Sequence, residues 1–312
     1  MSGAWGRWVE RANRREPAHA VALVRVVYGL ALAAHMGWMW VTGAWRWVWL
    51  SPADGGLVAL NRTWLDRVGG PTPGLVEGLV VVSAGAGLLL ALGCFTPVAA
   101  FVAALSWSVL TDLGVNAGGS YDFLGGNVFF LLLFAGSGEV WAVDAWRSRL
   151  RARGPALVPV WPRWLMVWQL VVMYDATVWQ KVSSGWVPGG SADALWYILQ
   201  QPTWQRIDMQ WLAAYFRLTQ VATLGTWVFE HAAPLLVLAA WYRETRTRRG
   251  WLRAQFNRVD FRVAYLAVGV AMHIGIEATM EVGAFNVFTL GMYAACFSGE
   301  EVRRGLGASP QN

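Results

Sequence analysis

Apolar runs recur along the whole chain, near residues 20–41, 74–92, 97–114, 123–137, 164–182, 212–241, 262–280 and 284–298. Most approach the roughly 20 residues that an α-helix needs to cross a bilayer. The pattern predicts an all-α fold, a polytopic transmembrane helical bundle of about eight spans. A cytoplasmic amphipathic segment over 1–17 precedes a transmembrane domain over 18–300, and 301–312 reads as a cytoplasmic tail. Two connecting segments are longer than turns. Residues 43–73 carry Trp45, Trp47, Trp49 and Trp64 among glycines and prolines, which predicts an interfacial loop. Residues 186–211 open on Trp186-Val-Pro-Gly-Gly190 and continue from Ser191 to Leu199, which predicts a short Ser191-capped helix along the outer interface. Gly78, Gly85 and Gly87 in the second run predict close helix packing.

Composition agrees with a membrane protein. The chain is 56% hydrophobic with 22 tryptophans, and 14% of it is charged, where a soluble domain has about a quarter. With the N-terminus inside and eight crossings, the arginines of 7–15, 147–163, 243–262 and 303–304 all face the cytoplasm. That asymmetry follows the positive-inside rule and puts both termini in the cytoplasm. The net charge of +6 is therefore a topology signal with anionic-lipid contact, not a nucleic-acid footprint. Cys94 and Cys296 lie in apolar surroundings, and neither a structural disulfide nor a metal cluster is predicted.

Lysine changes the picture further. Arginine supplies 24 of the 25 cations, and Lys181 supplies the other. Arginine stays charged in proteins, whereas a lysine in a low-dielectric site can lose its proton and act as a base. A snorkelling anchor at a helix end is the plainer role for the same residue. Ionisable groups inside spans are costly, so each is a candidate functional residue. His35, Asp112, Asp122, Lys181, Glu277 and Glu281 all fall in the predicted outer half, with Asn116 and Tyr121 nearby. Arg25 and Asp175 suit a structural ion pair, and Glu230 and His231 suit interhelical hydrogen bonds. His273 and Glu277 share a helix face. No second histidine pair accompanies them, so no metal is predicted.

Four segments resemble the bacterial horizontally transferred transmembrane (HTTM) family and the related membrane domain of vitamin K-dependent gamma-carboxylases. Leu23-Val-Arg-Val-Val-Tyr-Gly-Leu30 looks like the family's first helix. Val140-Trp-Ala-Val-Asp144 looks like the motif that ends its fourth span. Val178-Trp-Gln-Lys-Val-Ser-Ser-Gly-Trp-Val-Pro-Gly189 is similar to its lysine–tryptophan–glycine segment. His273, followed by Phe288-Thr-Leu-Gly-Met-Tyr293, looks like its last two helices. The resemblance spans roughly residues 18–300.

The resemblance implies that Lys181 is the base that deprotonates a reduced naphthoquinone of the vitamin K type. Oxygen then adds, and the oxygenated quinone removes a glutamate γ-proton so that CO2 can add, leaving a quinone epoxide. His35, Asp112, Asn116, Tyr121, Asp122, Trp186, His273 and Glu277 would line the pocket on the extracytoplasmic side of the cell membrane. Two departures accompany it. The Asn-His pair that precedes Ser-Tyr in the carboxylases is replaced by Gly118-Gly119 before Ser120-Tyr121. The large extracytoplasmic domain that handles peptide substrate is expected to be absent. A second expectation is therefore a non-catalytic or partner-dependent component. It would bind membrane lipid, or work with a small soluble or periplasmic partner on an exported peptide, as in sporulation-delaying toxin maturation. A transporter is the weaker expectation, because no inverted repeat is apparent.

Overall fold

The computed structural model describes residues 3, 5–6, 9–10, 13–57, 59–114, 119–149 and 157–306. Among them it holds fourteen α-helices and one two-stranded sheet. The chain divides into two compact units. One combines Met1–Met166 with Val287–Asn312, and the other is Val167–Asn286.

The first unit contains α1 (His19–Thr42), α2 (Ala44–Trp49), α3 (Pro73–Leu92), α4 (Thr96–Leu113), α5 (Ser120–Phe134), α6 (Val143–Arg149) and α14 (Gly299–Gly305). It also holds the start of α7 (Trp161–Trp179) and the end of α13 (Phe285–Tyr293). Helices α1 and α3 touch backbone to backbone. A Cβ on Gly29 would sit 2.4 Å from Ala91 N, and one on Gly87 would sit 2.6 Å from Ala33 N. Glycine at both positions is thus a packing requirement. Gly78 and Gly85 have nothing within 4 Å of a Cβ, so the close packing expected there belongs to Gly87 alone. The core beneath is aromatic: Tyr28 stacks on Phe288, Phe129 and Trp107 meet that ring edge-on, and the Tyr28 hydroxyl donates to Phe288 O at 2.9 Å.

The expected amphipathic start enters a small sheet. Strand β1 (Arg15–Pro17) pairs antiparallel with β2 (Leu157–Pro159). Beside it the buried Arg163 holds Glu16 with two nitrogens and donates to Ala295 O at 3.1 Å. The segment rich in tryptophan after α1 is likewise more ordered than a loop: α2 buries Trp45 and Trp49 and leaves Trp47 exposed.

The turn between α3 and α4 is held from both sides by residues distant in sequence. Arg25 donates to the α3 carbonyls of Leu90 and Ala91, at 2.9 and 3.3 Å, and to Trp141 O at 2.7 Å. Its terminal nitrogens therefore serve main-chain oxygens rather than the carboxylate expected of them. On the other side, Asp144 accepts from Phe95 N, Thr96 N and the Thr96 hydroxyl at 3.0, 2.7 and 2.8 Å. A cation at a helix C-terminus and an anion at a helix N-terminus each match the helix dipole. They also satisfy groups that the helices leave unpaired.

The second unit contains the rest of α7, then α8 (Ala194–Leu199), α9 (Phe216–His231), α10 (Pro234–Glu244), α11 (Trp251–Arg258) and α12 (Phe261–Thr279). The single span expected over 212–241 is broken. Helices α9 and α10 meet at 49°, because Pro234 has no N–H to give Glu230 O, which Ala233 N takes instead at 3.1 Å. The short helix after Trp186 starts at Ala194, with Asp193 rather than Ser191 before it. Ala192 adopts a positive φ of 50°, which turns the chain away from Ser191.

Among the described residues, four helices are long and apolar enough to cross a membrane, namely α1, α3, α4 and α12, or five spans if α9 and α10 count as one bent crossing. Shorter apolar helices lie at Tyr121–Phe134 and Phe285–Cys296. Helix α7 is long enough, but its tryptophans, Arg163, Gln169 and Asp175 make it less apolar.

Burial pushes the Asp144 carboxyl up, but hydrogen bonds from Thr96 and Phe95 and the charge of Arg147 outweigh it and hold it below its ordinary value. A depressed carboxyl stabilises the fold above its unfolded value, and that stabilisation is lost as pH falls through the folded value. Thermal melting in detergent should therefore weaken as pH drops below about 4. The Asp144→Asn variant should be less stable at neutral pH and lose less on acidification. An unchanged acid dependence in that variant would contradict the clasp.

Candidate functional site

The second unit builds its polar centre from the end of α7. Tyr174 and Val178 are four residues apart and share a face of α7, and Lys181 follows two residues past the helix's end at Trp179. The helix closes with Lys181 N donating to Val178 O at 2.9 Å, so the lysine is the first side chain beyond the last turn. The chain then folds back on itself. Gly190 lies so close to Ser184 that a Cβ would be 2.1 Å from its carbonyl oxygen. That fold lays the Trp186 ring 4.9 Å from Lys181 Nζ, within cation–π range.

Glu230 stands opposite, in the last turn of α9, one residue from the break before α10. Both of its carboxylate oxygens bind Lys181 Nζ. The lysine side chain is 19% exposed and the glutamate 8%. The ammonium is thus held by a carboxylate and an indole face while one side remains open.

A second chain of polar groups runs from the surface to the interior of the same unit. Arg206 reaches Glu277 at 2.5 Å and Glu281 at 3.2 Å. Glu277 accepts from Asn286 Nδ2 at 2.8 Å, and Asn286 Oδ1 lies 2.7 Å from His273 Nδ1. The other ring nitrogen, Nε2, lies 2.7 Å from the Tyr174 hydroxyl. The carboxylate fixes which end of the Asn286 amide donates, so Asn286 Oδ1 must accept and His273 Nδ1 must carry a proton. His273 Nε2 is then left as an acceptor for Tyr174. Main-chain bonds zip the segment that carries Arg206 onto the end of α12: Arg206 N to Thr279 O at 3.1 Å, and Glu281 N to Trp204 O at 2.9 Å.

The remaining expected residues fall as follows. His231 is exposed, with its ring 3.7 Å from that of Trp227, and Asp175 is half-buried on α7. In the first unit, His35 packs against Trp107 and Tyr121, with ring centroids 6.0 and 6.5 Å away. Asp122 closes the start of α5, accepting from Gly119 N at 2.7 Å, while its own carbonyl accepts from Trp107 Nε1 at 2.9 Å. Asp112 and Asp122 border a groove of about 810 Å³ along α4 and α5, lined mainly by Phe101, Leu105, Phe123 and Phe130. Asn116 lies outside the described residues.

The HTTM domain family matches residues 13–263, most of the chain. The chain is a member of the HTTM family. No curated protein and no solved structure matches it. Its apolar helices and its family together make it a multi-pass membrane protein. Within this HTTM protein, two of the segments that carried the resemblance have a structural use: Arg25 and Asp144 hold opposite sides of the α3–α4 turn.

Sequence reasoning did not find Tyr174, Asn286 or Arg206, nor the pairing of Glu230 with Lys181. Tyr174 was legible in principle, since it lies in the same apolar helix shortly before Lys181. The Glu230 pairing joins residues 49 apart in sequence, and no spacing rule reaches that far.

Removing one member of a buried ion pair strands the other, at a cost of about 3–5 kcal/mol, whereas removing both leaves no stranded charge. Glu230→Ala and Lys181→Ala should each lower the melting temperature of the purified protein, and the double variant should melt above the less stable single. Additive losses would show that the two side chains act independently.

Proposed function

We propose that this HTTM protein uses the Lys181–Glu230 pair as a membrane-embedded acid–base centre acting on a hydroxyl carried by a lipid-soluble ring, a reduced naphthoquinone being the best-fitting substrate. The observation that carries this reading is the pair itself: a cation and a carboxylate in direct contact, largely withdrawn from water, with an aromatic face alongside and one side open. Those groups suit such a ring, because Trp186 offers a stacking surface and the pair offers both a donor and an acceptor to its hydroxyl. The resemblance to the carboxylase membrane domain supports the same substrate class and implies Lys181 as the base, with oxygen and CO2 as further reactants. In this reading about eight crossings leave both termini in the cytoplasm, and the pair faces the extracytoplasmic side.

A second reading has a specific observation of its own. Lys181 is bound to both oxygens of Glu230 and covered by Trp186, which is also how a structural anchor is held. The protein would then be a lipid-binding scaffold that works with a soluble partner or an exported peptide.

The test is turnover of reduced menadione with oxygen by wild-type protein and Lys181→Ala in lipid nanodiscs, read as quinone epoxide by mass spectrometry. The proposal expects epoxide from the wild type and at least a hundredfold less from the variant, in the range for losing an acid–base group. Co-purified lipid with no turnover in either protein would favour the scaffold.

A further inference from the structure

We propose that Glu230, rather than Lys181, takes the proton from the substrate hydroxyl, while Lys181 stays an ammonium throughout and holds the oxyanion that results. The inference rests on reading the pair as an acid–base centre and goes on to divide the work between its two members.

Three features of the site support that division. First, Lys181 Nζ contacts both carboxylate oxygens and faces the Trp186 ring at 4.9 Å. Both partners favour the charged ammonium, and a neutral amine would forfeit each of them. Second, an ammonium has three N–H donors and no acceptor. Two point at Glu230, and the third is free to meet an incoming oxygen through the exposed 19% of the side chain. A hydroxyl bound there receives Nζ–H on its lone pair and is left to donate its own hydrogen. The acceptor beside it is a Glu230 oxygen.

The third feature is the count of charges. In the proposed step the substrate O–H bond breaks, the proton bonds to a Glu230 carboxylate oxygen, and the electron pair stays on the substrate oxygen. Nζ then donates to that oxyanion in place of the carboxylate. One cation and one anion stand in contact before the step, and one cation and one anion stand in contact after it. With lysine as the base, the step would start from a neutral amine beside a neutral carboxylic acid and create an ion pair. Creating charge in apolar surroundings is the more costly route, because a low dielectric stabilises newly formed charge poorly. Sliding an oxygen into one arm of an existing pair avoids that cost. Glu230 is placed for this by the broken helix, since the turn before Pro234 sets it at the end of α9.

The probe that tests this is 4-nitro-1-naphthol, a ring-sized phenol that is coloured only as its anion. It is added to the full-length protein in nanodiscs at a pH where the free probe is protonated. Wild type should bind the coloured naphtholate, and its infrared difference spectrum should gain the band of a protonated carboxylic acid. Glu230→Gln should bind the probe uncoloured and without the new band, whereas Lys181→Arg should retain colour and band. Naphtholate formed by wild type without the acid band would overturn the proposal without recourse to any variant. So would colour that survives Glu230→Gln and disappears in Lys181→Arg, which would make lysine the base. A wild type that binds no probe would instead remove the acid–base reading on which the inference rests.

Discussion

A charge withdrawn from water must be paired, and the second unit of this protein is arranged around one such pair. Lys181 follows the last turn of α7, and Glu230 precedes a break between α9 and α10. Neither position is incidental. Beyond the last turn the lysine side chain escapes the helix and reaches sideways, and Pro234 ends α9 so that the glutamate meets it. The fold of Val182–Gly190 then brings Trp186 over the ammonium. Each of these backbone features costs regular helix structure, and together they give the pair a fixed partner, a cover and an open side.

The first unit meets the same constraint with different groups. The free ends of α3 and α4 would expose carbonyls and amides at a tight turn, and Arg25 and Asp144 satisfy them from other parts of the chain. The aromatic core of Tyr28, Trp107, Phe129 and Phe288 supplies packing, and Gly29 with Gly87 lets two helices approach to backbone contact. Polar side chains deep in an apolar chain thus serve two purposes. Some close helix ends, and others gather where chemistry is feasible.

This distinction explains how far the sequence could be read. Helices are written in local apolar runs, so α1, α3, α4 and α12 were legible, and the family was legible from four short segments. Broken elements were harder. Pro234 was visible in the run over 212–241, but its effect depends on which carbonyl loses a partner, and Ser191 looked like a cap until Ala192 turned the chain. At the site, residue type marked Lys181, since a lone lysine among 24 arginines stands out. Partnership did not show, because Glu230 and Asn286 meet their partners only through tertiary packing. Arg25 illustrates the reverse case: its charge suggested a carboxylate, yet in the fold it caps a helix.

The account stands on Lys181 being an ammonium held against Glu230, and the chain offers a direct assay because its other cations are arginines. Purified protein treated with an amine-reactive ester at neutral pH can acquire label on a side-chain amine only at Lys181, read by peptide mass spectrometry. The account predicts slow labelling in the wild type and clearly faster labelling in Glu230→Gln, which removes the counter-charge and keeps the shape. Wild-type labelling as fast as that of a free lysine, unchanged by Glu230→Gln, would contradict it.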